Sequence, residues 1–335
     1  CPPSPAPVPS PRANDSSAKT NFRVYSHNVN GLIDDTKLEY IPRLMQKKNI
    51  DAYLVQETHL AGDFEKFLIN GYYFIHHGPE SQPSNGKKGG VAIILSPDMH
   101  YQWKQSGKAK KIFRGGPSAG NTTRILSINI RFELASCPKK GNFKNIKTKK
   151  FSNLCLTSIY FPHSGYKECE IESFNAEISS YLSNILSLRN TIQIIGADTN
   201  ASIGNRTSIA LNDSPETKHE QHEIDPIFEL IGPYGNPRIS KTGRGILNIM
   251  REFQLRAASS FFDSNNKHNT WLAPPQSPSE KRKAYQLDQI FIPRSQLCQT
   301  TDVKRKFDGA TSDHAALSID FYLLNGPLLK KKKKN

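Results

Sequence analysis

Ser312-Asp313-His314-Ala315-Ala316-Leu317-Ser318-Ile319-Asp320-Phe321 places a carboxylate and an imidazole at the mouth of an apolar, strand-like run. A carboxylate beside an imidazole at such a mouth is hydrolase chemistry, although an ordinary loop Asp and His would read the same. The triplet has company. Towards the N-terminus stand Asp288 in AYQLDQIFIP, Asp198 and Asn200 in IIGADTN, Tyr160 in SIYFPHSG, Glu57 in YLVQETH, and Asn28 and Asn30 in YSHNVNGL. Each polar group sits where an apolar run ends.

The runs themselves, at 22–26, 52–56, 72–76, 90–95, 125–134, 154–161 and 192–196, alternate with amphipathic stretches, so helices and strands are mixed. Leu126, Ile128, Ile130 and Phe132 alternate with Ser127, Asn129, Arg131 and Glu133, the period of a strand buried on one face. Thr36 followed by Glu39 reads as a capping box and predicts a helix over 37–48. Ile171, Phe174, Ile178, Tyr181, Leu182 and Ile185 predict a core-facing helical stripe, and Ile246, Leu247, Met250 and Phe253 a third helix weakened by Gly245. No internal repeat is visible.

At 335 residues with a formal charge of +15, the chain is sized for one α/β sandwich and suited to a polyanionic partner, nucleic acid ahead of acidic lipid. Lys330 to Lys334 add to that excess in a tail expected to be disordered, and the rest stays basic without them. Residues 1–20, rich in Pro and Ser, have little to bury and read as a flexible linker. Between Trp103 and Lys150 the cations, Arg114, Arg124 and Arg131 among them, face a single acid, Glu133. This stretch reads either as a solvated hairpin or as a phosphate-backbone contact. Residues 205–223 form a second polar insertion, expected to be a mobile loop.

The five cysteines, Cys1, Cys137, Cys155, Cys169 and Cys298, have no Cys-x-x-Cys spacing and read as free thiols in a reducing compartment. Without a spanning apolar run or signal peptide the chain is expected to be soluble and intracellular, the nucleus being one compartment open to it. A first residue other than Met leads us to expect an incomplete N-terminus.

Phosphodiester hydrolysis needs a cation on the phosphoryl oxygens, an orienting group or base for water, and donors for developing charge. Carboxylates, amides and one His supply these, and oxygen donors such as Glu57, Asn28 and Asp313 suit Mg²⁺ or Mn²⁺ rather than zinc. His76 and His77 are adjacent in a strand and should face opposite ways.

With HNVNGL, VQETH, GGVAIIL, IYFP, IGADTN, Asn269-Thr270-Trp271, LDQIFIP and SDHAAL, the chain resembles the endonuclease/exonuclease/phosphatase family from about Phe22 to Phe321. It is most similar there to the endonuclease domains of non-LTR (LINE-type) retrotransposons and to abasic-site endonucleases. The resemblance implies a four-layer α/β sandwich, two packed and mostly antiparallel β-sheets flanked by helices. It also implies a catalytic domain over 21–323 between the linker and a basic tail at 324–335. Glu57 would be the principal metal ligand, with Asn28 and Asp313 nearby. Asp198 would orient or deprotonate water, and Asn200 would contact the phosphate. His314, paired with Asp288, would hold a non-bridging oxygen, and Tyr160 and Asn30 would add phosphate contacts. Trp271 would wedge against a base or sugar if exposed, or else fill the core.

Three positions depart from the family pattern. His163 stands where many relatives have Asn, which makes a phosphate contact titratable. GADTN displaces Asp198 by one residue from Gly196, and Gln289 replaces a common aromatic. The expected function is a monomeric, Mg²⁺-dependent endonuclease nicking one DNA strand, free of membranes and with a reverse transcriptase beside or fused to it as one option. The alternatives are a phosphatase or phosphodiesterase acting on inositol phosphates or phospholipids, and a catalytically inactive nucleic-acid-binding relative. The inositol-phosphatase reading is disfavoured because LDQIFIP stands where a Trp-Cys-Asp-Arg-type segment would.

Overall fold

The computed structural model describes residues 21–80, 89–107, 112–115, 124–134, 150–188, 191–206, 227–262, 269–274, 282–306 and 312–322. The linker, the basic tail, most of the Lys-rich stretch after Trp103 and the insertion after Asn205 lie outside them, as do Cys1 and Cys137. Among the described residues Cys155 is a buried free thiol and Cys169 an exposed one.

The apolar runs become strands of two sheets. The first orders its seven strands β14 (Thr300–Lys306), β15 (Ala316–Tyr322), β1 (Asn21–Asn28), β2 (Ala52–Gln56), β5 (Val91–Leu95), β4 (Tyr73–His77) and β3 (Phe64–Phe67). The second orders β10 (Leu255–Ala257), β13 (Asp288–Pro293), β9 (Thr191–Asp198), β8 (Lys150–Tyr160), β7 (Ile125–Leu134) and β6 (Ile112–Gly115). A short pair, β11 (Trp271–Leu272) and β12 (Ala284–Tyr285), stands apart. Each large sheet contains one parallel pair, β1 with β2 and β8 with β9, and is otherwise antiparallel. A parallel pair needs a crossover, and helices α1 (Asp35–Lys48) and α3 (Glu168–Leu186) supply the two.

Val24, Leu54 and Ile93 of the first sheet pack against Leu126, Leu156 and Ile194 of the second. On the outer faces, Leu38, Ile41 and Met45 of α1 cover Tyr25, Tyr53 and Ile94. Phe174, Ile178 and Leu182 of α3, with Ile246 and Met250 of α4 (Lys241–Phe253), cover Ile195 and Phe291. The expected four layers are therefore present. At their centre the sheets approach so closely that a Cβ on Gly196 would lie 2.4 Å from Ser26 Oγ.

Four local expectations need correction. The α1 N-cap is Asp34, whose carboxylate accepts from Thr36 N–H at 2.8 Å, so the helix begins before the Thr36/Glu39 box. Ser127 and Asn129, on the polar face of β7, are buried rather than solvated; Ser127 Oγ lies 2.6 Å from Thr157 Oγ1, and α3 packs over that face. Helix α2 (Pro97–Gln105), capped by Ser96, was not foreseen; it buries only Met99 and Trp103. Arg124, counted with the basic stretch, is 2 % exposed and buried among aromatic rings. The other two predicted helices form over their apolar stripes, and His76 and His77 hold different partners, Thr58 with the Gly62 carbonyl and Asp63 respectively. Gln289 in β13 accepts from Ser259 Oγ at 3.0 Å, while its Nε2 is buried with no hydrogen-bond partner among the described residues.

Candidate active site

The carboxyl ends of β1, β2, β8 and β9 meet the amino ends of β13 and β15 where the two sheets abut. Asn28 ends β1 and Asp198 ends β9; Asn28 Nδ2 donates to Asp198 Oδ2 at 2.8 Å. The two segments make the same turn. Asn28 Oδ1 accepts from Asn30 N–H at 2.9 Å, and Asp198 Oδ1 from Asn200 N–H at 2.9 Å. Asn30 and Asn200 both adopt positive φ, 48° and 47°, which Asn tolerates. So Asn28 and Asn30 do build a turn, and the turn itself assembles the site.

Register carries the other carboxylates in. Asp198 pairs with Tyr160 on one side and Asp288 on the other. Thr270 Oγ1 accepts from the N–H groups of Leu287 and Asp288 at 3.0 Å each, fixing where β13 starts. His314 Nδ1 lies 2.9 Å from Asp288 Oδ2, and Asp198, Asp288 and His314 present ligand atoms within 4.8 Å of one another. Trp271 bridges His314 through its backbone, and its indole N–H donates to Asp313 Oδ2 at 2.7 Å. Neither simple expectation for Trp271 describes it fully, since the partly exposed ring lines the cavity while its nitrogen anchors a carboxylate.

A cavity of about 640 Å³ is lined by Asn30, Glu57, Tyr160, His163, Asn200, Trp271, Asp313 and His314 among others. The remaining three predicted residues, Asn28, Asp198 and Asp288, lie just beneath and are bonded to that wall. The structure thus brings all eleven predicted residues together. Residues that sequence reading did not single out complete the far wall: Arg238 stacks 4.9 Å from the Tyr285 ring, with Lys283 beside them. Lys37 donates to the Val29 carbonyl at 2.9 Å and more weakly to those of Asn30 and Gly31, holding the first turn. Arg124 lies 4.6 Å over the Tyr160 ring and donates to Tyr166 Oη at 2.8 Å.

Burial and crowding set the charges. Desolvation, then the neighbouring Asp288, drives the Asp198 carboxyl well above its ordinary range, to about 7. Burial opposes a charge on His314, but Asp288, then Asp198 and Asp313, outweigh it and raise the imidazole to about 10, so it is a cation near neutrality. Burial, with Glu57 and Asp198 nearby, pushes the Tyr160 phenol far up and keeps it neutral. Desolvation would raise Glu57, yet bonds from His59 and Tyr160 overcome it and hold the carboxyl below its usual value. Glu57 also sits at φ 52°, a conformation that a non-glycine residue keeps only when its surroundings enforce it.

Two buried carboxylates and the largely buried Glu57 face a single imidazolium, and Asp288 Oδ1 is buried with no hydrogen-bond partner among the described residues. This oxygen-rich donor set, short of positive charge, fits a hard divalent cation. Glu57 and Asp313 line the cavity and can reach one, whereas His314 Nδ1 is taken by Asp288 Oδ2, which leaves only Asp288 Oδ1 unpartnered beneath it. Asn28 turns its amide nitrogen to Asp198, so only the second lone pair of its Oδ1 remains for a cation.

No protein-family model and no curated protein matches this sequence. Solved structures do. The 3′ phosphatase NExo from Neisseria, bound to a product DNA hairpin, superposes with TM-score 0.57 at 15% identity, over 90% of this chain and 100% of that one. The endonuclease domain of TRAS1, a telomere-specific non-LTR retrotransposon, gives 0.51 at 14%, over 91% and 100%. An endonuclease/exonuclease/phosphatase family protein from Leptotrichia buccalis gives 0.50 at 15%, over 90% and 100%. By these superpositions the chain has the endonuclease/exonuclease/phosphatase fold.

Proposed function

We propose that the chain is a divalent-metal-dependent phosphodiesterase, a DNA endonuclease that nicks one strand by water attack on phosphorus. The observation that carries the reading is the joining of Asp198, the Asp288–His314 pair, Glu57 and Asp313 at one cavity. Asp198, held by Asn28 and the Asn200 N–H, orients the attacking water and accepts its proton; a carboxyl raised towards neutrality suits that task. His314, kept cationic by Asp288, donates to a non-bridging phosphoryl oxygen. The neutral Tyr160 phenol turns its one hydrogen from Glu57 to the same group when Glu57 takes the cation, and Asn30, Asn200 and His163 line its approach. Bound by Glu57 and Asp313, with Asn28 beside them, magnesium or manganese would neutralise charge on the phosphoryl oxygens.

The basic charge of the chain and the DNA hairpin in the NExo structure support a nucleic-acid substrate. The TRAS1 likeness supports placement in a mobile element, which an adjoining polymerase reading frame in the flanking genomic sequence would test. We assign the activity to a monomeric domain over 21–323. The deciding assay is nicking of supercoiled plasmid with Mg²⁺, which should be lost in Asp198→Ala. Intact plasmid with the wild type, or equal nicking by the variant, sinks the reading. Phosphate release from soluble inositol phosphates in place of nicking would favour a phosphatase.

A further inference from the structure

The β1–β15 ladder stops at the Ser26–Leu317 pair. Beyond it residues 313–315 turn away to bond the segment around Trp271, through Ala315 N–H to the Thr270 carbonyl at 2.6 Å and Leu272 N–H to the Asp313 carbonyl at 3.4 Å. The His314 carbonyl is left without a donor from β1 backbone. A side chain supplies one: His27 Nε2 lies 3.1 Å from that oxygen, and His27 Nδ1 lies 2.8 Å from Tyr53 Oη. A carbonyl only accepts, so Nε2 carries the hydrogen and Nδ1 takes the hydrogen of the Tyr53 phenol. Both partners are buried, His27 at 4 % and Tyr53 at 0 % exposure. Desolvation favours the neutral ring this tautomer requires.

We infer that His27, oriented by Tyr53, is a positioning residue that fixes the main chain of His314 while Asp288 fixes its ring. The inference rests on the phosphodiester reading above. Alternation along β1 sets His27 on the α1 side, with Tyr25 and Val29, whereas Ser26 and Asn28 face the second sheet. His314 is thereby gripped from two layers at once, its carbonyl from the first sheet and its ring from the second. A histidine required to meet a phosphate at one distance needs both, because a displacement of about 1 Å can cost on the order of a hundredfold in rate.

The test is His27→Leu, which removes both bonds, beside His27→Gln, whose amide can donate to the same carbonyl, and Tyr53→Phe. In plasmid nicking, His27→Leu should lower kcat by about 10- to 100-fold with KM little changed. His27→Gln should recover most of that loss, and Tyr53→Phe should show a smaller one. A second reading needs no activity: the His314 Nδ1–H proton resonance, assigned by its absence in His314→Gln, should move or broaden in His27→Leu and persist in His27→Gln. Wild-type kcat together with an unmoved resonance in a folded His27→Leu protein overturns the inference. If His27→Leu does not fold, His27→Gln and Tyr53→Phe decide it on the same two measurements. Should the wild type cleave no DNA, the phosphodiester reading fails, and the resonance alone still decides whether His27 sets His314.

Discussion

Asp198 illustrates how a residue can be costly and necessary together. It is fully buried, faces a second carboxylate across the β9–β13 pair, and is held by two donors. Asp198→Asn should therefore lower turnover by about 10²- to 10⁴-fold and also lower the thermal midpoint, since its amide N–H₂ meets one of the two donors that the carboxylate now accepts from. Calorimetry beside a nicking assay checks both signs. His314 makes the reverse contribution. Its folded pKa, about 10, lies above the ordinary histidine value, so its ion pair stabilises fully below about pH 6.5 and the gain is lost as pH rises towards 10. Urea unfolding of metal-free protein across that window should show the decline, and Asp288→Asn should flatten it. Arg124 is a buried guanidinium whose described partners are rings, a phenol and a carbonyl. Arg124→Met should change stability by no more than about 1 kcal/mol yet lower kcat, because the Tyr160 ring loses its support. At this scale the sequence announced the carboxylates, which flank apolar runs at one end or the other, but not Arg124, whose ring partners lie dozens of residues ahead.

Elements were legible where a local pattern dictates them. The 125–134 alternation fills β7 end to end, and the stripes of α3 and α4 are buried along their middles, with Ile171, Tyr181 and Phe253 only partly covered. Helix α2 was not, because two buried apolar residues make no stripe, although Ser96 before Pro97 was a start signal. Strand pairing and the closeness of the sheets are non-local and leave only faint marks, such as Gly196. Replacing it with Ala forces a methyl against Ser26 Oγ at 2.4 Å and Leu54 Cδ1 at 2.9 Å. Urea unfolding should record a loss of about 1 to 3 kcal/mol, partly restored by Ser26→Gly. Loss of the α1 cap in Asp34→Ala should lower the thermal midpoint slightly, with no change in nicking.

At the scale of the molecule, two sheets with matching parallel pairs and crossover helices each bring one Asx turn to the seam. No repeat shows in the sequence because HNVN and ADTN share only their last residue; the likeness lies in backbone geometry. Glu57 and Asp313 line the cavity between them, with Asp198 and Asp288 beneath, so added cation should bind where these carboxylates gather. Titrating Mg²⁺ or Mn²⁺ into chelator-treated wild type should raise the thermal midpoint, and the rise should shrink in Glu57→Gln.

The first sheet seats β1 between β2 and β15, a strand made some three hundred residues later. A chain emerging from the ribosome therefore lacks both that strand and the histidine beside it until residue 322 has been made. On the nuclease reading, a chain stopped before Asp313 lacks His314 and the strand that seats β1, so such truncated products should leave supercoiled plasmid uncut.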